Sequence, residues 1–89
     1  MWYFYIIICN DSSLYSGITT NVLERLASHN KGKGAKYTRT RRPVRLAYYE
    51  VIETKSEALK RENEIKNFSR ENKLRLITHG SGLKVLPRK

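Results

Sequence analysis

The sequence is poor in cysteine and in acidic residues, and each shortage narrows what this protein can be. Among 89 residues there is one cysteine, Cys9, so neither a disulfide framework nor a cysteine-based zinc site can form within the chain. We therefore expect a reducing, cytoplasmic location. Only 8 residues are Asp or Glu, against 18 Lys or Arg, which leaves a net charge of +10. Such an excess on a small domain favours a polyanionic partner over a small neutral ligand.

Long hydrophobic runs are also missing. The apolar run at residues 2–9 is far shorter than the roughly 20 residues of a membrane-spanning helix, and it lacks a basic leader, so we expect neither a signal peptide nor a membrane partner. The length suits one domain with a single thin core and a shallow surface site. We expect a monomeric domain at residues 1–79, followed by a flexible basic tail at residues 80–89.

Apolar and turn patterns predict an α/β protein of the α+β class. Residues 2–8 are apolar or aromatic throughout, which is typical of a strand covered on both faces and so central in a sheet. Polar residues at 10–13 predict a turn, and residues 14–18 and 44–52 predict two more strands. The predicted elements follow the order β-β-α-β-α-α, and the first two strands form an antiparallel hairpin.

Capping residues predict where the three helices begin. Asn21 is followed three residues later by Glu24, and Thr54 is followed in the same way by Glu57. Ser69 is the third capping residue. The predicted helices end near the glycines Gly32 and Gly34, at about Asn67, and at Gly80.

Two tyrosines and a glycine fall on one face of the predicted hairpin. With a three-residue loop, Ile7 lies opposite Gly17, and Tyr5, Tyr15 and Gly17 then share a face. Gly17 would leave an open notch beside the phenols. Taken alone, these tyrosines are more simply explained as core residues whose hydroxyls reach water.

Arginine and histidine stand on the apolar stripe of the first predicted helix. The stripe has the spacing i, i+3, i+4 and i+7 and consists of Val22, Arg25, Leu26 and His29. A lone arginine there could extend to solvent, and a lone histidine could be a satisfied core residue. Because Arg25 and His29 occur together and face the tyrosines, they indicate a site that meets a phosphodiester.

Residues 31–43 form a basic loop that contains glycines and no acid. We expect it to be flexible and without a regular helix, with cations that follow a phosphate backbone and glycines that let that backbone come close. Its one aromatic residue, Tyr37, gives little sign of base-specific recognition. The candidate nucleic-acid-binding residues are Lys31, Lys33, Lys36, Arg39, Arg41 and Arg42.

One carboxylate, Glu62, lies on the apolar stripe of the second predicted helix. It follows Ala58 by four residues and precedes Ile65 by three. A carboxylate on a packed face needs a counter-charge. Periodicity supports two partners about equally, an inward arginine such as Arg25 or a bound Mg²⁺. No second carboxylate stands out beside Glu62, which disfavours a two-metal mechanism.

Taken in order, these residues resemble the GIY-YIG nuclease superfamily, and in particular its small single-domain bacterial members. The likeness covers roughly residues 2–77 and implies a three-stranded antiparallel sheet flanked by helices. It rests on Tyr3-Phe4-Tyr5, Tyr15-Ser16-Gly17, Arg25, His29 and Glu62. The sequence departs from the family motifs where Tyr3 and Phe4 replace Gly and Ile, and where Ser16 replaces Ile.

The resemblance implies one divalent ion, Mg²⁺ or Mn²⁺, bound by Glu62, and no small-molecule cofactor. It also implies that Tyr5 takes a proton from the attacking water and that Tyr15 helps to position that tyrosine. By the same likeness Arg25 contacts the scissile phosphate, and His29 accepts a proton or supports the tyrosines. A free tyrosine has a pKa near 10, and we expect the surrounding positive charge to favour the phenolate of Tyr5.

The sequence thus predicts a metal-dependent endonuclease that hydrolyses phosphodiester bonds in DNA. Branched, damaged or single-stranded DNA is the expected substrate, and repair or recombination the expected setting. The alternative is a nucleic-acid-binding module with weak or no catalysis, recruited to a repair assembly. A structural basic protein would explain the charge but leaves Glu62 without a purpose.

Overall fold

The computed structural model describes residues 1–80 and 83–84, which form an antiparallel sheet with helices on both faces. The strands are β1 (Trp2–Ile8), β2 (Leu14–Thr19), β3 (Arg45–Ile52) and β4 (Leu83–Lys84), in the spatial order β2-β1-β3-β4. The helices are α1 (Val22–Asn30), α2 (Lys36–Arg39), α3 (Lys55–Lys66) and α4 (Arg70–His79). The predicted α+β class and the three-stranded core with β1 at its centre are confirmed.

β4 is a two-residue addition that the sequence did not predict. Leu83 and Lys84 pair with Tyr49 and Tyr48 of β3, at the edge of the sheet away from β2. They fall within the stretch predicted to be a flexible tail. The rest of that stretch, residues 81–82 and 85–89, lies outside the described residues, and a domain boundary at residue 79 stays a prediction.

Hydrogen bonds at the helix N termini confirm the three predicted starts. The side-chain oxygens of Asn21, Thr54 and Ser69 accept the backbone N–H three residues further on, at 3.0, 3.2 and 3.1 Å. Each cap satisfies a donor that a helix leaves unpaired, and such a cap typically contributes about 1 kcal/mol. None of the helices in the described part of the chain has the length and apolar character needed to cross a membrane.

The sheet has a hydrophobic core on each face. The face covered by α3 and α4 buries Phe4, Ile6, Ala47, Tyr48, Ile65 and Ile77. The opposite face buries Tyr5, Ile7, Cys9 and Val44, with Leu26 of α1 packed against them. β1 supplies residues to both cores, as expected for a strand that is apolar on both sides. Tyr5 therefore lies on the face that α1 covers.

The register of the β1–β2 hairpin differs from the predicted one by two residues. Tyr5, not Ile7, is the partner of Gly17, and Ile7 is the partner of Tyr15. The N–H of Cys9 donates to the carbonyl of Ser13 at 2.8 Å and so continues the pairing of the two strands, which leaves a three-residue loop at residues 10–12, one residue earlier than predicted. Since side chains alternate with a period of two, a two-residue shift keeps every residue on its predicted face.

Candidate active site

Tyr5 lies at the centre of a hydrogen-bonded cluster between β1 and α1. Its side chain is buried, and its hydroxyl lies 3.0 Å from Nε2 of His29. Nε of Arg25 donates to the same hydroxyl at 3.4 Å. The four-residue spacing that put Arg25 and His29 on one side of α1 brings both to a single phenol. The structure thus joins three of the predicted catalytic residues directly.

Gly17 provides the space that the Tyr5 hydroxyl occupies. A Cβ on residue 17 would lie 2.7 Å from that oxygen and 3.0 Å from Cζ of Tyr5, closer than unbonded carbon atoms approach one another. The notch predicted beside the phenols is therefore present. It is filled by the end of the Tyr5 side chain rather than left open.

Tyr15 joins the cluster through its ring. The ring meets that of His29 edge-on, with centroids 5.4 Å apart, and stacks on the ring of Tyr37 at 5.8 Å. The guanidinium of Arg41 lies 4.0 Å from the centroid of Tyr37. Sequence reasoning noted Tyr37 only as the aromatic residue of the basic loop and missed this stack, which holds Tyr15 in place.

His29 is fully buried and uses both of its ring nitrogens. Nε2 faces Tyr5, and Nδ1 lies 2.8 Å from Oγ1 of Thr38. Thr38 belongs to α2, a single helical turn where a loop without regular helix was expected. No sequence pattern singled Thr38 out, because its contact depends on the path of the whole basic loop.

Burial decides the protonation of Tyr5 and His29. It raises the pKa of the Tyr5 phenol above 10.0, and the hydrogen bond and charge of Arg25 offset this only in part. Burial also lowers the pKa of His29 below 6.5, and the charge of Arg25 lowers it further. Arg25 favours the phenolate of Tyr5, as expected of a positive charge, but burial outweighs it and the pKa of the phenol is raised. At neutral pH a phenol faces a neutral imidazole.

Glu62 is half-buried on α3 and has no ionic partner among the described residues. Arg25, one of the two predicted partners of Glu62, therefore forms no ion pair with it among the described residues. The carboxylate of Glu62 lies close enough to Tyr5 for its charge to contribute to the raised pKa of the phenol. Mg²⁺ is commonly bound through one or two carboxylates, with waters and substrate phosphate completing the shell, and Glu62 fits that arrangement.

An ion pair next to Glu62 ties α3 to the sheet. Nε and Nη2 of Arg61 donate to the two carboxylate oxygens of Glu50 on β3, both at 2.8 Å, and the Tyr48 hydroxyl donates to Glu50 at 2.5 Å. A two-point contact of this kind fixes orientation as well as distance. Sequence analysis missed this pair, which holds the backbone immediately before Glu62.

The predicted nucleic-acid-binding residues fall into two groups. Exposed side chains without an ion-pair partner in the described part of the chain belong to Lys31, Lys33, Lys36 and Arg39. Arg41 and Arg42 instead bind partners within the protein. Arg41 pairs with Asp11 at 3.1 Å, and Arg42 donates to two backbone carbonyls at 2.9 and 3.4 Å. The first group is better placed to meet a phosphate backbone.

Gly34 allows the basic loop to pass directly against His29. A Cβ on residue 34 would lie 2.3 Å from Nδ1 and 2.8 Å from Cα of His29. Gly34 was expected to let the DNA backbone come close. In the structure it allows the basic loop to pack against His29.

We expect Gly34→Ala to lower the free energy of unfolding by about 1–3 kcal/mol, the usual cost of overpacking a buried site. Urea denaturation measures this, with Lys33→Ala as the control because its side chain is exposed. The control is expected to change stability by less than about 0.5 kcal/mol. Equal stability of the two variants would mean that the loop can move away from His29.

A model of the GIY-YIG catalytic domain matches residues 1–75. The chain belongs to the GIY-YIG family. Over 75 residues it is 63% identical to a UPF0213 protein of Staphylococcus haemolyticus, and the match covers 84% of this chain and 92% of that protein. A UPF0213 protein of Staphylococcus saprophyticus is 58% identical over 78 residues, covering 88% and 95% of the two chains.

Two solution NMR structures are similar to this GIY-YIG domain. A UPF0213 protein of Bacillus halodurans is 44% identical with a TM-score of 0.58, over 91% of this chain and 88% of that one. A protein of E. faecalis is 46% identical with a TM-score of 0.60, over 85% and 81%. Family membership supports a nuclease-type function and implies a nucleic-acid substrate.

Proposed function

We propose that this GIY-YIG protein is a metal-dependent endonuclease that hydrolyses phosphodiester bonds in DNA. The observation that carries the proposal is the Tyr5 hydroxyl, which contacts both a guanidinium and a neutral imidazole. Such a phenol can give its proton to His29 while it takes one from water. Arg25, beside it, can balance the charge of a phosphate. The exposed cations of the basic loop supply the attraction for a polyanion.

The reaction is a single displacement at phosphorus. The water oxygen forms the new bond to phosphorus as the water gives a proton to Tyr5 and Tyr5 gives its own to Nε2 of His29. The bond from phosphorus to the leaving sugar oxygen breaks, and solvent protonates that oxygen. Arg25 stabilises the charge on the non-bridging oxygens. Because the pKa of Tyr5 is raised, proton transfer to His29 accompanies the attack rather than preceding it.

Glu62 would hold the divalent ion. Its half-buried carboxylate has no ionic partner in the described part of the chain, and the Arg61–Glu50 pair fixes the helix that presents it. When bound, one Mg²⁺ or Mn²⁺ would supply Lewis-acid stabilisation of the phosphate charge. Tyr15, held by its contacts with His29 and Tyr37, would keep the phenol of Tyr5 and the attacking water in line.

We expect the protein to recognise the phosphate backbone and the shape of the DNA rather than its base sequence. A domain this small offers little area for contacts to base edges, and the cations of the basic loop suit phosphates. Branched, damaged and single-stranded DNA are the forms to test. A role in repair or recombination stays a prediction.

The test is a nicking assay on supercoiled plasmid and branched oligonucleotides, with Mg²⁺ or Mn²⁺ and with EDTA. We expect nicked product with either ion, no product with EDTA, and recovery when excess metal is restored. Binding to the same DNA is measured by fluorescence anisotropy at several salt concentrations. Salt-sensitive binding without cleavage of any of these substrates would contradict the nuclease and favour a DNA-binding module.

A further inference from the structure

Thr38 is a buried polar residue that contacts the imidazole of the site from the side opposite Tyr5. It is fully buried, with Oγ1 2.8 Å from Nδ1 of His29 and 3.0 Å from the backbone carbonyl of Ala35. A hydroxyl has one hydrogen to donate. Which atom accepts that hydrogen, Nδ1 of His29 or the carbonyl of Ala35, determines which nitrogen of His29 carries a proton.

The Thr38 side of the cluster assigns the proton of His29 to Nδ1. The carbonyl of Ala35 can only accept, so the Thr38 hydroxyl donates its hydrogen to that oxygen. The lone pairs of Oγ1 then face Nδ1, which must be the donor. Nε2 of the neutral ring is left with a lone pair that points at Tyr5.

The Tyr5 side gives the same assignment independently. Among the described residues, the hydrogen-bond partners of the Tyr5 hydroxyl are Nε of Arg25 and Nε2 of His29. Arg25 can only donate, so the hydrogen of Tyr5 has Nε2 as its acceptor. With the opposite tautomer, the Tyr5 hydroxyl would face two donors and its own hydrogen would have no acceptor in that part of the chain.

We propose that Thr38 is a positioning residue of the cleavage reaction, which fixes His29 in the Nδ1–H tautomer and orients its ring so that Nε2 accepts the proton of Tyr5. Thr38 acts through His29, and the inference rests on the proposed nuclease function. The second partner of a functional imidazole commonly sets its tautomer in this way.

The first part of the test reads the tautomer directly. Protein labelled with ¹⁵N-histidine is studied by long-range ¹H–¹⁵N correlation at a pH where His29 is neutral. We expect Nδ1 to give a protonated-nitrogen signal and Nε2 an unprotonated one in the wild type and in Thr38→Ser. Thr38→Val keeps the shape but removes the hydroxyl that accepts from Nδ1–H. Tyr5 still favours that tautomer, but the buried Nδ1–H then loses its partner, and we expect the two tautomers to mix or exchange.

The second part compares cleavage by the same proteins. We expect Thr38→Val to cleave DNA about 10- to 100-fold more slowly, by analogy with the loss of the hydrogen-bonded partner of a metal-binding histidine, and Thr38→Ser to restore the rate. Affinity for DNA, measured by anisotropy, should be the same in all three, because the exposed cations are unchanged.

Three results would overturn the inference: an Nε2–H tautomer in the wild type, an unchanged tautomer in Thr38→Val, or an unchanged rate in that variant. If Thr38→Val does not fold, Thr38→Ala takes its place in both measurements, because it also lacks the hydroxyl. A wild type that shows the Nδ1–H tautomer but cuts no DNA would overturn the nuclease and, with it, the role of Thr38 in cleavage, while supporting its effect on the tautomer.

Discussion

Replacing Tyr5 by Phe is expected to slow DNA cleavage by about 10²- to 10⁴-fold, the range that general acid–base groups contribute. The ring of Tyr5 packs in the core on the α1 face, and the substitution removes only the hydroxyl that links Arg25 to His29. The loss should fall on the rate of the bound complex rather than on DNA affinity. Single-turnover cleavage together with fluorescence anisotropy separates the two quantities.

Tyr3→Phe is the matched control for this experiment. Tyr3 lies two residues earlier on β1 and therefore on the same face, where its ring is 6.1 Å from that of Tyr49. We expect cleavage by this variant to match that of the wild type. If Tyr5→Phe also cleaves at the wild-type rate, the phenol takes no part in proton transfer and the proposed reaction is wrong.

Glu62→Gln should abolish metal-dependent cleavage almost completely. A bound divalent ion contributes several kcal/mol to such a transition state, so a loss of at least about 10³-fold is expected. Glutamine keeps the size of the side chain and removes the charge. Cleavage and the affinity for Mn²⁺, followed by paramagnetic broadening of NMR signals, are the two measurements.

The pKa of Tyr5 provides a further measurement on the same variant. The charge of Glu62 is one of the groups that raise this pKa, so Glu62→Gln should lower it in metal-free protein. Glu64→Gln is the control, because Glu64 is exposed and Arg61 keeps its contact with Glu50 when Glu64 is changed. If cleavage and Mn²⁺ affinity survive in Glu62→Gln, another group holds the ion.

Local sequence rules were sufficient to predict the core of the candidate site. Alternation along a strand and the four-residue spacing along a helix place Tyr5, Arg25 and His29 without knowledge of distant contacts. The hairpin register was predicted two residues out of place, yet Tyr15 and Gly17 stayed on the correct face. Which face a strand residue occupies depends only on whether the shift is even or odd, so this error was harmless.

What the sequence did not reveal depends on contacts between distant segments. Thr38 reaches His29 because Gly34 lets the basic loop lie against the ring. The pairing of Glu50 with Arg61 joins a strand to a helix that follows a turn, and periodicity does not specify which charges will meet. Composition records charge and not burial, so the sequence predicted the effect of the cations on the pKa of Tyr5 but not the burial that outweighs it.

The single turn of α2 joins the basic loop to the candidate active site. Thr38 is flanked in that turn by Lys36 and Arg39, whose side chains are exposed. A phosphate that pulls on either cation therefore pulls on the residue that holds the imidazole. In the proposed nuclease, this turn would couple the binding of a phosphate at its cations to the position of His29.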